Sequence, residues 1–150
     1  MRNLKLIAAA AAIALVPALA LQPAQADMAK ATAEMAQPEW VSYTADSLSA
    51  LKADEKTILV DVSADWCSTC KKQHVILEEL RADPALADVT FVRVDFDDDK
   101  DFIKANRIPR QSTILIYGGD EELGRSIADS NRDSLREFVM NSVAKAEATN

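Results

Sequence analysis

The sequence is poor in metal-binding side chains and in positive charge. Its 150 residues include one His and two Cys, and 17 Lys and Arg stand against 24 Asp and Glu. One His and two Cys in a single copy cannot complete a four-ligand zinc site from Cys and His alone. Nucleic acid binding depends on Lys and Arg at the phosphates, so a net charge of −7 without a basic stretch disfavours that function. The length fits one domain of ordinary size.

The apolar residues, 49% of the chain, are concentrated most densely at the N-terminus. The basic start Met1–Lys5 precedes the apolar run Leu6–Leu21, and Ala24 and Ala26 supply the small residues of a cleavage site. These three regions predict a secretory signal peptide over residues 1–26. The alternative is an uncleaved membrane anchor, although the run is short for a bilayer span. We expect export to the periplasm, where two cysteines can keep a disulfide.

The rest of the chain divides into a short tether and one domain. Residues 27–38 are rich in Ala and end at Pro38, which predicts a flexible tether. Residues 39–147 alternate between strand and helix patterns. Strand patterns lie near 40–43, 57–62, 89–94, 113–117 and 122–128, and helix patterns near 46–53, 67–81, 100–106 and after 131. This order, ending in a hairpin and a helix, indicates an α/β fold with a mixed central sheet and helices on both faces.

Local residue types predict the helix ends and one helix face. We expect Asp46 to cap the first helix, and Ser130 or Asn131 to cap the last one. The long helix near 67–81 is expected to turn its apolar residues toward the sheet. These residues are Val75, Ile76, Leu77 and Leu80.

Both cysteines lie in one segment, Trp66-Cys67-Ser68-Thr69-Cys70-Lys71, where a buried strand ends and the long helix begins. A thiol at a helix N-terminus faces unpaired amide N–H groups and the positive end of the helix dipole, which stabilise a thiolate. A second cysteine three residues later lies one turn away and can close a disulfide. We therefore predict Cys67 as the nucleophile and Cys70 as the resolving thiol. The alternatives are an inert disulfide and half of a zinc site, which here lacks a second cysteine pair.

The segment Asp61-Val62-Ser63-Ala64-Asp65-Trp66-Cys67-Ser68-Thr69-Cys70-Lys71 resembles the active-site segment of the thioredoxin family. It is especially similar to the C-terminal domain of bacterial transmembrane thiol:disulfide interchange reductases. The resemblance extends over residues 40–145 in the order and spacing of the elements. It implies the thioredoxin-like fold and thiol–disulfide exchange with protein substrates, without a cofactor.

Two further catalytic residues are implied by this resemblance. Asp61 lies six residues before Cys67, where thioredoxins keep a buried carboxylate beneath the cysteine pair. A buried carboxyl has a raised pKa and can exchange a proton with a nearby thiol. Trp66 is expected to shield the sulfurs and to offer an apolar face to the substrate. The alternatives are a solvated aspartate at a strand end and a tryptophan with an ordinary packing role.

The loop before Thr113 departs from the family pattern. Thioredoxins place a cis-proline directly before a Thr that opens the next strand, and alignment on Thr113 puts Ser112 at that position. Pro109 is the alternative, but three residues separate it from Thr113. A cis bond before Ser costs ~2.5–4 kcal/mol, so we expect a trans Gln111–Ser112 peptide. Gln111, Ser112 and Thr113 are expected to form the substrate-binding edge, with the Ser112 hydroxyl near the sulfurs, where it can tune the thiolate.

His74 supplies an alternative function. It lies four residues after Cys70 on the same helix face, so the three residues form a C-x-x-C-x-x-x-H pattern. Two thiols and an imidazole suit copper(I), which makes a copper binding or delivery module the main alternative. The simpler interpretation is an ordinary helix histidine, so we assign no metal ligand.

The predicted function is an exported thiol–disulfide oxidoreductase that uses the Cys67-Ser-Thr-Cys70 pair. The resemblance to reducing domains favours the reductase direction, and oxidase or isomerase activity is the alternative. An exported reductase needs a source of electrons, for which we expect a membrane thiol relay. The expected partners are protein thiols and disulfides, without nucleic acid, and the protein is expected to be a monomer.

Overall fold

The computed structural model describes residues 38–149 of the chain. The predicted signal peptide over residues 1–26 lies outside the described residues, and so does the predicted tether except for Pro38. Along the described range, no helix is both long enough and apolar enough to cross a membrane.

Strands and helices of the described chain alternate in the predicted order, and their ends lie within one residue of the predicted ones. The strands are β1 (Trp40–Ser42), β2 (Thr57–Ser63), β3 (Thr90–Asp95), β4 (Thr113–Gly118) and β5 (Glu121–Ile127). The helices are α1 (Ala45–Ala53), α2 (Ser68–Arg81), α3 (Lys100–Ala105) and α4 (Arg132–Thr149). A short 3-10 helix over Pro84–Leu86 lies between α2 and β3 and is absent from the sequence-based prediction.

The strands form one mixed sheet in the order β1-β3-β2-β4-β5. β2 lies in its centre, parallel to β3 and antiparallel to β4. β1 extends the sheet parallel to β3, and β5 extends it antiparallel to β4. α2 provides the crossover that a parallel pair of strands requires between β2 and β3.

The side chains of β2 alternate between the two faces of the sheet, and each face has its own core. Leu59 belongs to one core with apolar residues of α2 and α4, such as Leu77 and Val139. Ile58, Val60 and Val62 belong to the other core, which includes residues of α1 and α3. Helices therefore cover both faces, which confirms the predicted α/β, thioredoxin-like fold. By the same alternation Asp61 lies on the Leu59 side, facing α2, the helix that follows Cys67.

Two local predictions are wrong, and one is confirmed. Thr44, not Asp46, caps α1, because its Oγ1 accepts the Ser47 N–H while Ser47 Oγ accepts the Thr44 N–H. Val75 is 54% exposed. The buried residues of α2 recur every three to four positions along one face of the helix, and Val75 lies outside that face. Gln73 lies on that buried face. Asn131 caps α4, since its side chain accepts the Ser134 N–H.

Candidate active site

The cysteine pair lies at the start of α2, where the centre of the sheet ends. Cys67 is the N-cap residue of α2, and its extended backbone directs the side chain over the first turn. Its Sγ accepts the Cys70 amide N–H at 3.0 Å. The two cysteines are joined in a disulfide, with their Cα atoms 5.3 Å apart. An amide donor fixed on Cys67 Sγ is the arrangement that stabilises a thiolate there after reduction.

An apolar cluster surrounds the sulfurs, and Trp66 lies at its outer edge. Cys67 and Cys70 are both buried together with Ala64, and the half-buried Phe96 packs against this cluster. Trp66 is 62% exposed, and its indole N–H donates to Asp97 Oδ2 at 2.6 Å. The expected apolar face of Trp66 is therefore available to a partner, while Phe96 is an aromatic contact that the sequence did not suggest.

Ser112 lies directly against both sulfurs. Its Oγ is 3.1 Å from Cys67 Sγ and 3.2 Å from Cys70 Sγ, and the residue is fully buried. Pro109 is exposed and lies three residues earlier, so Ser112 occupies the position before Thr113 that the alignment gave it. The Gln111–Ser112 peptide is trans, as expected, since residues 38–149 contain no cis peptide bond.

The predicted substrate-binding edge is only partly accessible. The side chains of Ser112 and Thr113 are buried, and the Thr113 hydroxyl donates to the Arg110 carbonyl. The Ser112 N–H donates to Val62 O at 2.9 Å, so its own main chain is already paired. The half-buried Gln111 makes no main-chain hydrogen bond within the described residues. Of the three predicted residues, Gln111 is therefore the one that can still pair with another chain.

Asp61 is buried behind the cysteine pair. Burial raises the pKa of its carboxyl to about 6, and the nearby Arg93 guanidinium opposes part of that rise in pKa. Arg93 Nε lies 3.7 Å from Asp61 Oδ2, beyond hydrogen-bond distance, and Asp61 Oδ1 has no hydrogen-bond partner among the described residues. Asp61 is therefore buried as expected, whereas its proton exchange with a thiol stays a prediction.

Asp61 and Cys70 both line a cavity of about 220 Å³. Its lining residues are Asp61, Ser63, Ala64, Asp65, Cys70, Lys71, His74 and Arg93. A volume of this size exceeds the share of liquid volume that one water molecule takes, about 30 Å³. The cavity therefore offers room for proton transfer through water between the carboxyl and the Cys70 thiol.

His74 lines the same cavity, but its nitrogens contact other side chains. Nδ1 lies 2.8 Å from an Arg93 guanidinium nitrogen, and Nε2 lies 3.4 Å from Glu78 Oε1. Burial lowers the pKa of His74, and the Arg93 charge lowers it further, while Glu78 opposes this change in pKa. In the described part of the chain, no three Cys, His, Asp or Glu residues are placed to hold a metal ion. In this disulfide-bonded state, His74 is thus paired with Arg93 and Glu78.

Besides Phe96, two more residues of the site were not predicted from the sequence. Arg93 pairs with Asp61 across β3 and β2, and its position as a charge inside an apolar strand was the available signal. Gln73 is fully buried on α2, and its Nε2 donates to Ser112 O at 3.3 Å and to Asp129 O at 2.7 Å. Its signal was a polar residue three positions after Cys70, on the same helix face.

This geometry agrees with comparisons to known proteins. The family model described as Thioredoxin matches residues 39–141. The chain belongs to the thioredoxin family. It is a thiol–disulfide oxidoreductase of that family, with Cys67 and Cys70 at disulfide distance, and membership implies protein thiols and disulfides as its class of substrate.

Individual thioredoxins and thioredoxin structures agree with this assignment. Trxlp from Edwardsiella tarda EIB202 has 34% sequence identity and a TM-score of 0.64, over 67% of this chain and 97% of Trxlp. Thioredoxin from Geodia cydonium is 30% identical over 96 residues, which cover 63% of this chain and 89% of that protein. Thioredoxin H2-1 from Oryza sativa subsp. japonica is 30% identical over 88 residues, 59% of this chain but only 62% of that protein.

Proposed function

We propose that this thioredoxin-family protein is an exported reductase that transfers electrons from Cys67 and Cys70 to protein disulfides. The observation that carries the proposal is the position of Cys67 Sγ at the N-cap of α2, where it accepts the Cys70 amide N–H. A thiolate stabilised there is the nucleophile, and Cys70, which shares a cavity with Asp61, is the resolving thiol.

The reaction proceeds through a mixed disulfide. The Cys67 thiolate attacks one sulfur of a substrate disulfide, which forms a Cys67–substrate bond and releases the other substrate sulfur as a thiolate. Cys70 then loses its proton and attacks Cys67 Sγ, which releases the second substrate sulfur and forms the Cys67–Cys70 disulfide. The substrate gains two electrons from the protein pair and two protons, one released by Cys70 and one from solvent, and the protein pair is oxidised.

Asp61 is proposed as the group that accepts the Cys70 proton. A carboxyl whose pKa is about 6 can take a proton near neutral pH more readily than one with the ordinary pKa of 3.8. The cavity that both residues line gives the proton a path. Arg93 limits the rise in the Asp61 pKa, which keeps the carboxyl available as a base.

Substrate docking is proposed at the exposed rim of the sulfur cluster. The Trp66 indole offers an apolar face beside Cys67, and the free main chain of Gln111 can pair with an extended substrate segment. Trp66 is held in its exposed position by the hydrogen bond to Asp97. Both groups recognise general features of a polypeptide, which suits protein substrates of varied sequence.

Export and the reducing direction form the second half of the proposal. The signal-peptide pattern over residues 1–26 supports release into the periplasm, and the Ala-Asp-Trp-Cys-x-x-Cys-Lys segment resembles reducing domains. A membrane thiol relay would reduce the Cys67–Cys70 disulfide after each cycle. The proposal treats the exported protein as a monomer, with membrane attachment through an uncleaved signal as the minor alternative.

Cell fractionation of the full chain, expressed in a bacterium with a periplasm, tests the proposed location. We expect the protein in the periplasmic fraction with Asp27 as its first residue. Leu15→Arg is the matched control, because a charge inside the apolar run should keep the protein in the cytosol. Recovery of the unaltered chain in the cytosol with Met1 intact would contradict export.

Trapping of free thiols in the same cells tests the direction. A reductase is expected to hold Cys67 and Cys70 mainly as the dithiol, because its electron donor keeps them reduced. Cells lacking membrane thiol reductases should show the pair shifted to the disulfide. A pair that is fully oxidised in the unaltered cells would contradict the reducing direction and favour an oxidase.

A further inference from the structure

We propose that Ser112 is a catalytic residue whose hydroxyl donates a hydrogen bond to the Cys67 thiolate, and that Gln73 is the positioning residue that holds Ser112 in place. The inference concerns the redox chemistry of the cysteine pair. It holds in either direction of electron flow, and it is independent of export.

The position of the hydroxyl carries the first part of the proposal. Ser112 Oγ lies against both sulfurs, 3.1 Å from Cys67 Sγ and 3.2 Å from Cys70 Sγ, in a fully buried site. A hydroxyl has one proton to donate and two lone pairs that accept. It can therefore donate to one sulfur and accept from the other at the same time. A hydrogen bond to an anion is stronger than one to a neutral sulfur, so the hydroxyl favours the reduced pair.

The protons and electrons balance in this arrangement. A small dithiol that reduces the protein breaks the Cys67–Cys70 bond, donates two electrons and two protons, and becomes a disulfide itself. One proton remains on Cys70, and the other is released to solvent when Cys67 is a thiolate. In that state the Cys70 S–H donates to Ser112 Oγ, and the Ser112 O–H donates to Cys67. Together with the Cys70 amide, the hydroxyl gives the thiolate two donors.

The backbone of Ser112 shows that its position is maintained by other groups. Its φ is +63°, in the left-handed region that disfavours residues with a side chain. Three hydrogen bonds fix it there: the Ser112 N–H donates to Val62 O, and its carbonyl accepts from the Ala128 N–H and from Gln73 Nε2. An unfavourable conformation fixed by three hydrogen bonds is the arrangement expected where a side chain must point to a defined place.

Gln73 joins the Ser112 loop to the neighbouring loop. Its amide nitrogen donates to the carbonyls of both Ser112 and Asp129, whereas its Oε1 has no partner among residues 38–149. Leaving a buried carbonyl oxygen unpaired disfavours folding, so an apolar residue of similar size would pack here at lower cost. The benefit of the amide lies in the two donated bonds, which anchor the loop that carries the Ser112 hydroxyl.

The hydroxyl is tested with Ser112→Ala and Ser112→Gly, which both remove it. The two variants differ in their backbone preference, because glycine adopts a positive φ readily and alanine does not. We expect both variants to lower the thiolate-to-thiol ratio of Cys67 about tenfold at a fixed pH, measured from the pH dependence of iodoacetamide alkylation. The equilibrium with dithiothreitol should shift about tenfold toward the disulfide. That shift makes the reduction potential about 30 mV more negative for a two-electron couple.

The two Ser112 variants and one control variant distinguish an effect of the hydroxyl from an effect of the backbone conformation. Ser142→Ala, which removes another buried hydroxyl on α4, should leave both the alkylation profile and the potential unchanged. The proposal is overturned if neither Ser112 variant shifts the potential, or if Ser142→Ala shifts it equally. A shift in only one of the two Ser112 variants also overturns it, because the effect would then follow the backbone.

Gln73→Met tests the positioning residue, because it keeps the length of the side chain and removes both donors. We expect the variant to shift the potential in the same direction as Ser112→Ala. In the Ser112→Ala background it should produce no further shift, because the hydroxyl through which Gln73 acts is gone. Equal shifts in the two backgrounds, or no shift in either, would overturn the positioning role, whatever the loss of stability.

Discussion

Replacement of Asp61 by Asn is expected to remove a pH dependence from the stability of the oxidised protein. Burial raises the pKa of the Asp61 carboxyl to about 6, whereas the unfolded chain has the ordinary value near 3.8. Between these two values the folded protein keeps a proton that the unfolded chain has lost. The free energy of unfolding therefore falls as the pH rises through this range, and the stabilisation present below pH 4 is lost above pH 6.

The size of this effect follows from the two pKa values. A difference of about 2.2 pKa units, at 1.36 kcal/mol per unit, gives about 3 kcal/mol. The amide in Asp61→Asn carries no titrating proton. The stability of the variant relative to the unaltered protein should therefore rise by about 2–3 kcal/mol between pH 4 and pH 8, because a small part of the change lies below pH 4. This is a large share of the roughly 5–15 kcal/mol that is typical of small proteins.

Urea unfolding of the oxidised proteins at several pH values measures the difference. Asp88→Asn is the matched control, because Asp88 is exposed and its replacement should not produce this pH-dependent difference. If Asp61→Asn and the unaltered protein keep a constant difference in stability from pH 4 to pH 8, the argument for a raised Asp61 pKa is refuted.

Two further variants test other parts of the structure. Gly124→Ala places a Cβ 2.7 Å from Ser142 Oγ and 2.9 Å from Phe138 Cε2. We therefore expect urea denaturation to show that the free energy of unfolding falls by about 1–3 kcal/mol. Unchanged stability would contradict the described packing of α4 on β5. His74→Ala should reduce insulin disulfides at close to the unaltered rate, because both His74 nitrogens contact Arg93 and Glu78. Loss of tight copper binding in His74→Ala would instead support the metal-binding alternative.

The order of the elements and the placement of the cysteines could be predicted from local patterns. The β-branched run of β2 is buried on both faces because helices cover both sides of the sheet, as such a run indicates. Cys67 lies at the helix start, because the strand pattern ends and the helical pattern begins within the same few residues. The position of Ser112 could be predicted from the alignment on Thr113, which requires no knowledge of the tertiary structure.

The remaining features depend on contacts between distant parts of the chain. Arg93 meets Asp61 only because β3 pairs with β2 in one particular register, and Gln73 acts on loops 39 and 56 residues away. Val75 was misplaced because its residue type suggested burial, whereas the position of α2 on the sheet decided which face is inward. The cap of α1 was misplaced because Thr44 and Asp46 are both suitable capping residues, and only the backbone distinguishes them.

The roles of the two cysteines are tested most directly by trapping the mixed disulfide with insulin. Cys70→Ser lacks the resolving thiol, so mass spectrometry should find an insulin chain bound to Cys67, and dithiothreitol should release it. Cys67→Ser lacks the nucleophile and should retain no insulin chain. An adduct on Cys70 in Cys67→Ser, or no adduct on Cys67 in Cys70→Ser, would contradict the assignment of Cys67 as nucleophile and Cys70 as resolving thiol.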